Sequence, residues 1–425
     1  MNEKFQASTA ENSTCPHHSV STAFSPLSSE QCDNPYSLYA RARREEPVFF
    51  SPDLRMWVVT RYDDVALILK DPRRFSSTGM FQSMLQYAPE VLELLGPYFS
   101  IPQIISVDPP EHTRLRDSVN RVFTPRRIAL LEPRVRELAH ALVDRFAGTG
   151  RTDLVRSFSA PLPLFAIFEL FGIPRVDAPR IGQIYDDTVL MLFGQLSREQ
   201  QAVHAQSAQA LFRYFSELMT ERQAHPQDDV ISDLCAAADH GGARLSFAEM
   251  LQMLFTITGA AQETTPNLLS TCVYRLLVER HHWQSILADP RLIPQVIEEA
   301  LRRDSPTRAL FRTATQQVEL GGVSIPKGAR LYLVLASANH DEAQFRTPEV
   351  FNPGREDAAR HLALGYGIHY CIGAPLLRLK SKVALEVLSS RLPSLRLGPG
   401  QRTGYIPNLV GPKFKELWVE WEAPK

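Results

Sequence analysis

Leu364-Gly-Tyr-Gly-Ile-His-Tyr-Cys-Ile-Gly373 places one cysteine, Cys371, at the end of a glycine-punctuated loop in a chain of 425 residues. Ala374-Pro375 follows, and then a helical pattern through Leu376, Leu379, Val383, Leu385 and Leu388. Proline near the first helical position needs no amide of its own, so Pro375 suits a helix start. Cys371 therefore lies just before a helix N-terminus, where free amides and the helix dipole favour a thiolate. Gly365, Gly367 and Gly373 are expected to let the backbone turn tightly and approach something flat and bulky.

Such a thiolate has few uses open to it. A structural zinc site needs about four ligands, and Cys371 has no Cys-x-x-Cys partner. An iron–sulfur cluster also needs several cysteines. A nucleophilic cysteine needs a histidine base within reach; His369 is near in sequence, but residues two apart in an extended segment share a face without having to touch. A single axial thiolate on a haem iron is the remaining metal-binding role. The competing reading is a buried structural cysteine.

Three further stretches carry chemistry. In Asp108-Pro-Pro-Glu-His-Thr-Arg-Leu-Arg116 the prolines open a helix, and His112 and Arg116 stand four apart on one face. Two neighbouring cations call for an anion such as a haem propionate, or else form a solvated basic face. Ser246–Leu277 reads as a long, nearly all-apolar helix opened by a Ser246/Glu249 capping box. In its middle, Gly259-Ala-Ala-Gln-Glu-Thr-Thr-Pro266 buries polar groups that are costly unless paired or functional. The Thr264 hydroxyl is expected to bond the Ala260 carbonyl, and Pro266 to open the helix at Gln262. In Glu298-Glu-Ala-Leu-Arg302, Glu299 and Arg302 stand three apart on a helix that Pro306 ends, alone a weak signal because surface ion pairs are common.

The cysteine stretch resembles the haem-ligand loop of the cytochrome P450 family, Phe-Gly-x-Gly-x-His-x-Cys-x-Gly, complete except that Leu364 replaces the phenylalanine. The other stretches resemble the same family in the same order: Asp-Pro-Pro-x-His-x-x-x-Arg; Ala-Gly-x-Glu/Asp-Thr, with Ala261 where glycine is usual; and Glu-x-x-Arg with a downstream arginine loop, here Phe351-Asn-Pro-Gly-Arg355. The resemblance runs from about Asn34 to the C-terminus. It implies Cys371 as axial iron ligand, Glu263 and Thr264 in proton delivery, and His112, Arg116, Arg312 and His369 on the propionates of haem b. If Thr307–Thr315 is extended, Arg308 and Leu310 share the face of Arg312. With Ala260 they are the expected substrate contacts, Arg308 meeting an acidic substrate group.

The rest of the chain bounds this reading. A net charge of −1 argues against a nucleic-acid partner, and 44% hydrophobic residues fill a large core. Five scattered cysteines suit a reducing, cytoplasmic setting. No apolar run reaches the roughly 20 residues of a membrane span. Helical patterns fill the middle, including a break at Gly241-Gly242, and strand signals cluster near the two ends. The expected fold is mainly α with a minor β-sheet part, and by resemblance the α+β triangular prism of the P450 family. Residues 1–33 are expected as a flexible tail, Cys15-Pro-His-His18 included, and 34–425 as one haem-thiolate domain. Ser76–Ser106, rich in large apolar groups, is expected either as a lid over a pocket or as ordinary core. The implied activity is insertion of one oxygen atom from O2 into an organic, largely apolar or secondary-metabolite substrate. Electrons are expected from a ferredoxin or flavodoxin with its reductase, docking on Arg114, Arg126, Arg127, Arg378 and Lys380. A haem-thiolate peroxygenase or rearrangement enzyme, and a non-catalytic haem ligand carrier, are the alternatives.

Overall fold

The computed structural model describes residues 19–79, 87–193, 196–237, 245–401, 404–411 and 413–422. The expectations for Cys15-Pro-His-His18, for Met80, Phe81, Met84 and Leu85 of the lid, and for Gly241-Gly242 lie outside these residues. Helices dominate, with small sheets at the periphery. Among the described residues no helix is long and apolar enough to cross a membrane.

The central helix, Phe247–Val278, forms where the capping box predicts it, with both reciprocal bonds between Ser246 and Glu249 present. Its N-terminal half (Leu254, Phe255) packs into one large apolar cluster and its C-terminal half (Leu268, Leu269, Cys272, Leu276) into the other. The helix therefore joins the two halves of the core. It runs unbroken through Pro266, which is buried. The expected local opening is thus no interruption; the proline removes one donor and the flanking turns persist.

The main sheet has five strands in the order Val48–Ser51, Met56–Val59, Arg330–Leu333, Leu310–Ala314, Phe75–Ser76. The first pair is an antiparallel hairpin, with Val48 opposite Val59. Met56–Val59 pairs parallel with Arg330–Leu333, and Leu310–Ala314 lies antiparallel to the latter.

Two expectations need correction. Residues 19–33 belong to no loose tail. They form helices Val20–Ala23 and Ser29–Asp33, and Val20, Phe24 and Cys32 are each 1% exposed. Phe24 meets Phe49 and Tyr332 edge-on, at 5.4 and 6.1 Å between ring centres. These few apolar groups sit among serines and threonines, so no periodicity announces them. Within Ser76–Ser106, Pro89–Phe99 is a helix with Val91 and Leu95 fully buried, and Tyr98 stacks on Phe212 at 4.0 Å. That part is ordinary core; Ile104 and Ile105 beyond it reach the cavity described below.

Glu299 and Arg302 are both wholly buried, joined by two bonds of 2.8 Å. Glu299 also accepts from the Arg355 guanidinium and the Asn352 amide. Arg302 donates to the Asn339 carbonyl at 2.8 Å, and the Asn339 side chain accepts from the Leu362 amide at 2.7 Å. The network ends two residues before Leu364, so it anchors the entry to the cysteine loop. Glu299→Gln leaves two buried guanidiniums short of a counter-charge. It should lower stability by about 3–5 kcal/mol, read as an earlier denaturant midpoint at unchanged slope; exposed Arg126→Ala should stay within about 0.5 kcal/mol.

Candidate functional site

The cysteine loop closes on itself: the Cys371 amide donates to the Leu364 carbonyl at 2.9 Å. Leu364, standing where the resembled loop has phenylalanine, is 7% exposed and lines the same cavity as the sulfur. Gly367 is required by geometry. Its φ is +71°, and a Cβ there would stand 2.5 Å from the Leu69 carbonyl oxygen. Gly373 has no positive φ; a Cβ there would rest 3.8 Å from the Cys371 sulfur. The helix Ala374–Arg391 begins immediately after it, with proline in its first turn.

Cys371 opens into a cavity lined by Ala260, Ala261 and Thr264 of the central helix and by Leu310 and Arg312 of the sheet. His112, Arg116 and His369 line it too. Burial pushes the Cys371 thiol above its usual range, opposed by the Gly373 amide and by Arg116, Lys380 and Arg378. The rings of His112 and His369 lie 4.2 Å apart, and neither Nε2 meets a hydrogen-bond partner although both are buried. Burial, then Arg312, His112 and Arg116, hold His369 down to about 3. Burial, then Arg116, also lowers His112. Burial lowers Arg312 to about 10, with Asp108 opposing. Asp108 itself is engaged by Ser76, the Ser77 amide and Thr78.

Four nitrogen-bearing side chains thus converge on one cavity wall beside a sulfur. Two buried ring nitrogens there meet no partner, and the nearby arginines depress the imidazoles. This donor set fits a flat, dianionic metal macrocycle: a soft thiolate for the iron and cationic donors for two carboxylates. Haem is such a group.

The structure divides the remaining expected site residues. Thr264 lines the cavity and donates to the Ala260 carbonyl at 3.0 Å, as expected. Glu263 does not line it. Its carboxylate is ion-paired with Lys413, from the hairpin Tyr405–Ile406/Lys413–Phe414. The next turn ties to the same hairpin, since Asn267 Oδ1 accepts from the Phe414 amide. Burial holds the Glu263 carboxyl above its usual range despite Lys413, and Asp186 adds to the effect. Asp186 is raised as well, by burial, with Gln262 and Lys413 opposing. The Glu263–Lys413 pair therefore lies behind Thr264, within electrostatic reach of Asp186.

Ala260 and Leu310 line the cavity; Arg308 does not. The strand starts only at Leu310, so the alternation cannot be run back to residue 308. Arg308 turns instead toward the N-terminal segment, donating to the carbonyls of Cys32 at 2.7 Å and Gln31 at 3.3 Å. Its guanidinium lies over the Tyr405 ring at 5.3 Å. Backbone oxygens and an aromatic face compensate the buried charge, and the idea of an acidic substrate group falls. Pro306 and Thr307 reach the cavity in its place.

The expected docking patch also changes. Arg114 is paired with Glu111 and Glu249, Arg127 with Asp228 and Asp233, and Arg378 with Glu298. Lys380 is no surface residue: it is 1% exposed and lines the cavity. Burial brings its ammonium down to about 7, opposed by Cys371. A signal existed, for Lys380 stands four residues after Leu376 and three before Val383, on their buried face. Lys413, 150 residues from Glu263, has no such signal.

A family model for cytochrome P450 matches residues 166–391. Cytochrome P450 107B1 of Saccharopolyspora erythraea is 37% identical over 369 residues, which covers 85% of this chain and 88% of that protein. The cytochrome P450 monooxygenase PikC of Streptomyces venezuelae is 35% identical over 402 residues, 91% of each chain. The crystal structure of the Tepidiphilus thermophilus P450 heme domain matches with a TM-score of 0.89 at 33% identity, covering 94% of this chain and 96% of that one. With a cavity that suits haem and relatives this similar along most of its length, the chain belongs to the cytochrome P450 family and is a monooxygenase.

Proposed function

We propose that this enzyme inserts one oxygen atom from O2 into a largely apolar small molecule, of the secondary-metabolite kind, with haem b as cofactor and Cys371 as axial ligand. The observation that carries this reading is that Cys371, the His112/Arg116/Arg312/His369 group and Thr264 all open on one cavity. When bound, the haem supplies the centre at which oxygen is activated. His112, Arg116, Arg312 and His369 hold its propionates by charge-assisted bonds. Ile104, Ile105, Ile257, Ala260 and Leu310 give the substrate an apolar wall and exclude water. A ferredoxin or flavodoxin with its reductase supplies electrons.

The central helix carries protons from one of its faces to the other. Glu263, its carboxyl raised by burial, gives up its proton less readily than an exposed glutamate. Lys413 orients that carboxylate on the side away from the cavity. Thr264, the next residue, presents its hydroxyl oxygen to the cavity while its proton is held on the Ala260 carbonyl. Transfer therefore needs Glu263 to leave Lys413, or a water to bridge it to Thr264. Ligand-binding spectra of the haem-loaded protein across a library of acidic, neutral polar and apolar molecules test the substrate class. A preference for acids would overturn it.

Four measurements test the assignments. Cys371→Ser should lose the red-shifted Soret band of the ferrous carbonyl complex; a mutant that keeps it removes the ligand assignment. His112→Ala with Arg116→Ala should release haem faster than Arg126→Ala, each lost charge-assisted bond being worth about 1.5–3 kcal/mol. Equal retention on gel filtration would refute the propionate role. Thr264→Ala should leave haem content and substrate spectra unchanged, but lower product per reduced cofactor and raise peroxide. Glu263→Gln should slow turnover by roughly 10²-fold or more. Full coupling in both would place the proton route elsewhere.

A further inference from the structure

Lys380 is a wholly buried lysine that the mechanism above does not use. It lies on the Ala374–Arg391 helix, nine positions after Cys371, and lines the cavity together with Cys371, Leu376 and Leu377. An unpaired ammonium among leucines is expensive, so something in its surroundings must compensate it. Among the described residues no carboxylate pairs with Lys380, and the titratable group that offsets its burial is Cys371, on the same cavity wall. Three cations act on that sulfur, and the other two have further commitments. Arg378 is held by both oxygens of Glu298, at 2.6 and 2.9 Å. Arg116 stands with His112 on the wall assigned to the propionates. Lys380 has no carboxylate partner among the described residues and shares the cavity wall with the sulfur.

We propose that Lys380 is a positioning residue for the Cys371 thiolate, whose ammonium draws electron density back from the sulfur and makes the haem iron easier to reduce. This inference rests on the reading of Cys371 as axial ligand. The physics is Coulombic. In a water-excluded wall a cation beside the sulfur keeps much of its interaction energy. It favours the more electron-rich, ferrous form and weakens donation from the ligand to the iron. The helix geometry sets the arrangement: the N-terminus of Ala374–Arg391 carries the ligand loop, and one further face-repeat along the helix brings Lys380 to the cavity.

The test uses the full haem-loaded chain and a dye-mediated titration of the ferric–ferrous couple. Lys380→Met keeps the length and removes the charge. It should make reduction at least tenfold less favourable, a shift of about 59 mV to the negative for one electron, while haem content and thermal stability hold or rise. Lys380→Arg should restore the potential toward wild type, which a packing role would not do. If Lys380→Met fails to load haem, Lys380→Gln, with a neutral polar tip, is titrated instead, and the same negative shift is expected. A potential unchanged in the neutral variant, in protein that shows the thiolate-type carbonyl band, overturns the role of Lys380 and leaves the ligand assignment standing. Absence of that band in the wild type overturns both.

Discussion

A sulfur proposed to bind iron as a thiolate sits in a wall of apolar side chains, and burial by itself favours its neutral form. Most features of this site answer that conflict. The loop delivers Cys371 to the start of a helix, where the Gly373 amide points at it. Arg116 comes from a helix 255 positions earlier in the chain, and Lys380 from the helix that follows the sulfur. The cations are in turn costly in a dry wall, as the lowered Arg312, His112 and His369 show. The carboxylates of the proposed cofactor would offset the cations, as the cations offset the sulfur. Any one of them alone would be an unpaired buried charge or polar group.

The central helix serves this site in two directions. One face closes the cavity with Ala260, Ala261 and Thr264. The other face, one residue away at Glu263, meets Lys413 and the C-terminal hairpin. Adjacent residues of one helix thus carry a buried, lysine-paired carboxyl on one face and a cavity-lining hydroxyl on the other. The hairpin that orients the carboxyl is also tied to the helix through Asn267 and reaches Arg308 through Tyr405. Arg308, spent on N-terminal carbonyls, couples that segment to the same region of the fold. The acid's position consequently depends on parts of the chain far from it in sequence.

The Glu299–Arg302–Arg355 network acts at a different level. It touches neither cavity nor sulfur, yet it binds the Ile293–Asp304 helix to the segment leading into the cysteine loop. Wholly buried charges of this kind add little net stability over apolar packing. They penalise any arrangement that leaves one unpaired, which suits a loop whose placement must be unique.

Local signals in the sequence determined a good deal. The capping box and apolar run marked the central helix, and the spacing of His112 and Arg116 placed both on one face. The glycine-punctuated loop before Pro375 marked Cys371. These are short-range regularities, written in helical or strand period, and they survive without knowledge of neighbours. Tertiary structure decided the rest. Alternation was run two residues too far at Arg308, because only the sheet shows that the strand begins at Leu310. Lys380 was assigned to the surface because charge is normally solvated, although its spacing from Leu376 placed it inside. The N-terminal segment was expected to be loose because its three core contacts are spread through polar sequence. The pairing of Glu263 with Lys413 spans 150 residues, and no local pattern encodes it. Periodicity reports which way a side chain leaves its own helix or strand; which charge waits there is a property of the packed whole.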